Sequence, residues 1–361
     1  MKLLLLRANP RKNGFTRRLT DLFVKGIRDA GAELVDRELA SLSIKQCAGC
    51  YSCWVTSPGK CIIRDDMPSV LQDILDADIV VCSTPLNAFT TSSHLKNVLD
   101  RTLPLTQSKF ELSPLGTVRN SLRFPEKWPK KIAAIVVGAF KGEENFSAVR
   151  SMFSLYANAM SMELCGELIR PESYLLQFTL AKPLTVKAIE AAFVKAGYEI
   201  AKEGRISPET QQKAATPLSP DLSYFKKYSN IYWEHAVAMG EKSRDLDLLS
   251  KNVMSDVRIL MQEMARSVDP AATAHLTTTL QFDFSDKQYS FVLSVDHGAC
   301  TFIEGKTDKP DLKVTTTADI WAKVFMRQIN MRDALMSRQI VLEGDKFIFS
   351  RLDRYFPPPV M

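Results

Sequence analysis

The stretch Leu3-Leu4-Leu5-Leu6-Arg7-Ala8-Asn9-Pro10-Arg11-Lys12-Asn13-Gly14-Phe15-Thr16 decides how the rest of the chain is read. The leucine run reads as a strand buried in a sheet, and it is too brief for a signal-peptide core. From Thr16 onward, Leu19, Leu22, Phe23, Gly26, Ile27 and Ala30 recur at helical spacing, and Gly31 stands where a C-terminal cap belongs. Strand, polar loop and helix in that order make the first step of a doubly wound parallel sheet, whose ligand-binding loops lie at the carboxyl edge of the strands. Free N–H groups at the helix start, amide and hydroxyl side chains, and the basic residues Arg7, Arg11 and Lys12 suit a phosphate there. A plain polar surface turn is the alternative. The loop lacks the glycine spacing of a P-loop or a dinucleotide fingerprint, which disfavours ATP hydrolysis and a standard Rossmann NAD site.

Working outward, the same alternation continues. Strands are expected over 32–39, 79–82, 132–137 and 167–169. Helices are expected from a cap at Asp66, with Val70, Leu71, Ile74 and Leu75 facing inward, and around Leu95 to Leu99, over 149–160 and over 186–201. Residues 103–131, rich in Pro, Ser and Lys, look like an excursion from the sheet. Beyond about residue 240 the pattern changes. One long helix is expected over 245–268, then alternating strands over 275–284 and from Tyr289 to Val295 joined as a hairpin, then a helix over 317–329. The expectation is an α/β domain over 1–240 with a five-stranded parallel sheet in the order 2-1-3-4-5, followed by a smaller α+β domain over 241–361.

Composition bounds the function. The 361 residues are 45% hydrophobic and 24% charged, as an ordinary globular chain is, and no apolar run approaches the ~20 residues that span a bilayer. Nothing reads as an export signal, so a cytoplasmic protein is expected. The net charge of +6 does not imply nucleic acid. Residues 1–240 hold 31 Lys and Arg against 24 Asp and Glu, and residues 241–361 hold 16 against 17, so the positive charge sits in the first part.

Cys47, Cys50, Cys53 and Cys61 form C-x2-C-x2-C-x7-C. Four thiolates this close can hold a [4Fe–4S] cluster or a zinc ion, and free thiols or a redox disulfide are the alternatives. Cys82, Cys165 and Cys300 sit on apolar elements and read as buried small hydrophobes. No Ser/His/Asp or paired-carboxylate arrangement is visible. His94 reads as a solvated residue at a helix start, so the catalytic residues stay unknown.

Pro10, Arg11, Lys12, Gly14 and Thr16, with Ser83 to Thr90 and the run His94-Leu95-Lys96-Asn97-Val98-Leu99-Asp100-Arg101, resemble the flavodoxin-like NADPH-dependent FMN reductases, including the iron–sulfur flavoproteins. The likeness extends over about 1–240, to Asn230 and Trp233. It departs at Ala8-Asn9, where Gly-Ser is usual, and at Asn87, where an aromatic is usual. It implies that Asn9, Arg11, Asn13 and Thr16 surround an FMN phosphate and that Pro85, Leu86, Asn87, Ala88, Phe89 and Thr90 lie against the flavin ring. Gly138 and Phe140 would close the pocket. It also implies NAD(P)H as co-substrate and a homodimer. The iron–sulfur members carry a compact cysteine motif ahead of an Asp-Asp-Met like Asp65-Asp66-Met67, which makes the [4Fe–4S] cluster a candidate on this loop.

Residues 310–315, Trp321, 333–337 and 341–345 are similar to the sterol carrier protein type 2 fold, over about 245–355. That resemblance implies an apolar tunnel for lipids or other hydrophobic molecules, with Phe282, Trp321, Phe325 and Met326 as candidate lining. Together the two resemblances imply an FMN-dependent NAD(P)H oxidoreductase passing electrons to a quinone, free flavin or hydrophobic small molecule. An electron-transfer iron–sulfur flavoprotein and a non-catalytic lipid-binding protein are the alternatives.

Overall fold

Leu3, Leu4, Leu5 and Leu6 are buried because their strand lies inside a parallel sheet and meets a neighbour on each side. The computed structural model describes residues 1–113, 115–177, 183–325 and 328–357. In the first part, β1 (Lys2–Arg7), α1 (Phe15–Asp29), β2 (Glu33–Glu38), α2 (Met67–Asp76), β3 (Ile79–Pro85) and α3 (Ser93–Asp100) follow one another. A hairpin, β4 (Thr106–Leu112) and β5 (Val118–Leu122), precedes β6 (Lys131–Val137), α4 (Ser147–Ala159), β7 (Glu163–Arg170), α5 (Pro183–Glu203) and α6 (Pro208–Ala214). The sheet order is β2-β1-β3-β6-β7, all parallel, which is the expected flavodoxin-like winding with the hairpin inserted outside it.

The register puts Leu4 beside Val80 and Val80 beside Ile132, so apolar side chains from three strands stack as one layer. Helix α1 covers one face through Leu19, Phe23 and Ile27, all fully buried. It crosses α5 backbone on backbone: a Cβ on Gly26 would stand 1.9 Å from the Val194 carbonyl oxygen, and one on Gly197 1.9 Å from that of Phe23.

Some local expectations change. The excursion over 103–131 contains the β4–β5 hairpin, paired antiparallel. Strand β7 is longer than the expected 167–169, because it is a sheet edge whose Glu163 and Glu167 interrupt the apolar pattern. Asp66 does not cap α2; its carboxylate accepts from the Ser43 N–H at 2.7 Å, while Asp65 accepts from Met67 N–H at 3.1 Å.

The chain divides into two compact units, the first comprising Met1–Leu176 and Leu184–Pro220 and the second Gln177–Pro183 and Asp221–Met361. The helix α7 (Leu222–Met239) therefore clusters with the second unit, where a boundary at 240 had placed it with the first. The reason is polar as well as apolar. Tyr224 donates to Glu263 at 2.6 Å, Tyr228 donates to the same carboxylate oxygen, and His235 bonds Asp256 at 2.8 Å.

The second unit continues with α8 (Leu246–Met254), α9 (Val257–Arg266), α10 (Pro270–Thr273), β8 (Thr277–Phe284), β9 (Tyr289–Asp296), β10 (Ala299–Glu304) and β11 (Leu312–Thr316). It ends with α11 (Ala318–Phe325), α12 (Met331–Met336), β12 (Val341–Gly344), α13 (Lys346–Phe349) and α14 (Leu352–Tyr355). The expected long helix over 245–268 is broken into α8 and α9, since Asp256 takes an extended backbone and accepts from the Arg258 N–H as an N-cap. The sheet order is β10-β9-β8-β11-β12, antiparallel except where β11 runs beside β8. The expected strand pair appears as β8 and β9, whose register sets Phe282 opposite Phe291. No helix among the described residues is long and apolar enough to cross a membrane.

Candidate functional site

The carboxyl ends of β1, β3 and β6 are tied into one floor. Ala8 N–H donates to Ser83 O at 2.8 Å, Leu86 N–H to Val137 O at 2.9 Å, and Gly138 N–H to Arg170 O at 2.9 Å. Ser92, at the start of α3, donates its hydroxyl to Ala8 O at 2.8 Å and its N–H to the Thr84 hydroxyl at 2.9 Å. A further bond of 2.6 Å joins the Thr20 and Ser83 hydroxyls beneath the loop. These small hydroxyl residues tie the first loop to β3 and α3, and of them Thr20 and Ser92 were not singled out in the sequence.

Within the first loop, Asn9 is almost fully buried. Its Nδ2 donates to Arg11 O at 2.9 Å, while its Oδ1 has no partner. Helix α1 starts at Gly14 without a side-chain cap and without an acidic residue in its first turn, so its leading N–H groups carry the positive end of the helix dipole unopposed. Arg11, Lys12 and Asn13 are exposed beside it, and Thr16 is buried in that first turn. Arg7 leaves the phosphate set: its guanidinium is buried and held by Asp36 at 2.7 and 2.9 Å and by Asp21 at 2.7 Å. Two basic residues of the loop, not three, remain available.

The second loop makes a tight turn in which Asn87 and Thr90 exchange backbone bonds of 3.0 and 2.9 Å. Ala88 and Phe89 both take positive φ, 45° and 62°, a conformation that a bulky side chain rarely adopts. That turn holds the Phe89 ring half-exposed, where it stacks on the half-exposed Phe140 at 5.8 Å and 11°. Pro85 and Leu86 are partly buried behind the turn. A Cβ on Gly138 would lie 2.7 Å from Phe146 and 3.1 Å from Leu86, so the close packing behind this loop requires glycine. An uncapped helix start and two half-exposed aromatic rings in one loop cluster fit a phosphorylated aromatic cofactor.

The cysteine loop leaves the carboxyl end of β2 and rests on α3. Asp65 and Arg101 meet there as a fully buried bidentate pair at 2.8 and 3.1 Å, and Arg101 also donates to Lys45 O at 2.8 Å. Trp54 Nε1 donates to Leu103 O at 2.9 Å and pins the far side. Both residues of the ion pair belong to runs singled out in the sequence, but nothing in sequence tells that they pair. Cys50 is exposed, and a hydrogen bond from Ser52 lowers its thiol from the ordinary value. Burial raises the Cys53 thiol, and Cys61, Cys47 and Cys50 raise it further. The four sulfurs thus share one electrostatic neighbourhood. Among the described residues, however, no three His, Cys, Asp or Glu side chains converge as metal ligands, so in this conformation the loop does not fit a preformed cluster. Cys82 and Cys165 are buried as expected, their thiols pushed up by burial to about 12 and about 11, and Cys300 is partly buried. His94 is partly exposed at the start of α3.

In the second unit, Phe282 and Trp321 are buried and lie 4.9 Å apart, ring to ring. The cavity that Trp321, Val324, Phe325, Met264, Met331 and Phe356 border measures about 30 Å³, the space of a water molecule rather than a lipid. The expected lining residues are therefore closely packed here, and Met326 lies outside the described residues.

Residues 1–166 match the family described as NADPH-dependent FMN reductase, a shorter reach than the 1–240 expected. Residues 252–359 match the family described as alkyl sulfatase C-terminal, in place of the sterol carrier family expected from sequence. An iron–sulfur flavoprotein of Archaeoglobus fulgidus is 29% identical over 104 residues, which are 29% of this chain and 46% of that one. One of Methanocaldococcus jannaschii is 31% identical over 105 residues, which are 29% and 53% of the two. The chain spans about half the length of these curated relatives. An NAD(P)H:quinone oxidoreductase structure from Methanothermobacter marburgensis is 16% identical, covers 55% of this chain and 96% of that one, and gives a TM-score of 0.41. The first unit thus joins a flavodoxin-like parallel sheet to a sequence match with the NADPH-dependent FMN reductases.

Proposed function

We propose that the protein is an FMN-dependent NAD(P)H oxidoreductase. The observation that carries this reading is the knitting of the β1, β3 and β6 loops into one floor beside an uncapped helix start, within the segment that matches the FMN reductase family. The leading N–H groups of α1, with Asn9, Arg11, Asn13 and Thr16, would hold the FMN phosphate. The turn from Asn87 to Thr90, backed by Pro85 and Leu86, and the stacked rings of Phe89 and Phe140 would flank the isoalloxazine. FMN, when bound, supplies a two-electron carrier that takes hydride from a reduced nicotinamide and passes electrons on. The chain's own part is to fix the phosphate, present one flavin face and exclude water with the two phenyl rings. Quinones, free flavin and hydrophobic small molecules are the acceptors proposed. The protein would work in the cytoplasm, as a homodimer, and its second unit would bind an apolar molecule once the packed Trp321 region opens.

FMN titration of the intact protein tests this directly. Binding should quench flavin fluorescence and confer NADPH or NADH oxidation in the presence of a quinone. A protein that neither takes up FMN nor oxidises reduced nicotinamide overturns the reading.

A second reading, electron transfer through a [4Fe–4S] cluster at Cys47, Cys50, Cys53 and Cys61, is favoured by the mutual influence of the four thiols and by the names of the relatives. It requires the loop to rearrange so that the sulfurs converge. Iron and sulfide analysis after anaerobic purification decides it, and near-zero iron removes it.

A further inference from the structure

Phe140 stands half-exposed, so packing alone does little to fix its ring, and the backbone around it sets its place. Glu172, in the loop after β7, holds that backbone twice. Its N–H donates to the Phe140 carbonyl at 3.0 Å, and its carboxylate accepts from Lys141 Nζ at 3.2 Å. The Ser173 N–H donates to Gly138 O at 3.0 Å, so the segment 138–141 is bound along its length to residues 170–173. Glu172 is itself anchored. Its buried carboxylate also accepts from Leu218 N–H at 2.6 Å, from Ser219 N–H at 3.3 Å and from the Ser219 hydroxyl. Lys141 closes the ring of bonds by donating to Ser219 O and Oγ, each at 2.9 Å. The Glu172 backbone takes a φ of 52°, a left-handed conformation that glycine adopts freely and glutamate seldom does. Strain of this kind persists where surrounding contacts over-determine it, and the donors gathered on the carboxylate do so here.

We propose that Glu172 is a positioning residue of the flavin site and acts through Phe140. By holding the Phe140 carbonyl and the Lys141 side chain, it sets where the Phe140 ring stands against Phe89. It thereby sets how firmly the aromatic pair covers the flavin and seats the reduced nicotinamide. The proposal rests on the assignment of Phe89 and Phe140 to the flavin ring. Glu172 bonds only the main chain of Phe140 and the side chain of the next residue, so a change there moves the ring and spares the first loop, which is assigned to the phosphate. A displaced ring weakens nicotinamide binding first, because a group that orients a reactant loses its effect with small misplacements.

The test uses the intact protein with para-trifluoromethylphenylalanine installed at position 140. Without FMN, its fluorine NMR line should shift or broaden on Glu172→Gln. Lys141→Met should do the same, and it spares the buried carboxylate if the glutamine variant folds poorly. In the FMN-loaded protein with its natural Phe140, Glu172→Gln should raise KM for the reduced nicotinamide about tenfold, the scale of one charge-assisted hydrogen bond. The fall in kcat and in FMN affinity should each stay within about threefold. Phe140→Leu should raise KM alike, and adding Glu172→Gln to it should change KM no further, whereas a role confined to folding adds its full effect in both backgrounds. An additive double variant, or an unchanged fluorine line and KM in the folded variants, overturns the proposal. A wild type that takes up no FMN overturns the flavin reading and this proposal with it. An FMN-binding wild type whose position-140 ring ignores Glu172 overturns this proposal alone.

Discussion

Asp65 and Arg101 have 0% and 1% side-chain exposure, so each charge depends on the other. Burial alone would raise the Asp65 carboxyl, but Arg101 and the backbone N–H groups of Lys45 and Met67 outweigh it and hold it below its ordinary value. Arg101→Met leaves an unpaired buried carboxylate and should cost about 3–5 kcal/mol in urea unfolding. The pH dependence follows from the depressed carboxyl. The pair's contribution is complete above about pH 4, the ordinary Asp value, and is lost as pH falls through the lower folded value. In Arg101→Met that depression disappears, so acid unfolding should move to higher pH in a circular-dichroism titration. Two arginines of the first loop make the complementary contrast. Arg7→Met breaks contacts to Asp36 and Asp21 and should lower stability while leaving FMN affinity nearly unchanged. Arg11→Ala touches an exposed charge and should weaken FMN binding by about fivefold at most with no loss of stability, as fluorescence titration and thermal melts would report. Sequence alone made Arg7 and Arg11 equivalent, because the charge of a loop is visible in sequence and its partners across the sheet are not.

At the scale of elements, the helices follow their apolar spacing closely where one face is buried, as in α1 and α5. The crossing of those two helices depends on glycine at both Gly26 and Gly197. Gly197→Ala should therefore destabilise by about 1–3 kcal/mol despite alanine's better helix propensity, because the added methyl meets a carbonyl oxygen that cannot retreat. Chemical denaturation tests it: an unchanged or higher midpoint would refute the close crossing. The same scale explains two misplaced boundaries. Asp256 looks like one more polar residue in a helical pattern until its carboxylate is seen capping α9. Strand β7 was legible only over its apolar end, because an edge strand may carry glutamates that a central one cannot.

For the whole molecule, the two units have separate apolar cores, one built around Leu4, Val80 and Phe153 and the other around Phe282, Leu293 and Trp321. Calorimetry should resolve two unfolding transitions, with FMN raising only that of the first unit, since a ligand stabilises the fold that binds it. A single transition shifted as a block by FMN would contradict this. The sequence by itself determined the parallel winding, the carboxyl-edge loops and the existence of a second, α+β part, because strand and helix periodicity and loop chemistry are local properties. Tertiary structure alone decided that Arg7 is held by two aspartates, that Phe89 meets Phe140, and that α7 clusters with the second unit through bonds such as Tyr224 to Glu263. Each of these is a contact between residues distant in the chain, and which charge finds which partner is settled only when the sheet brings its edges and ends together.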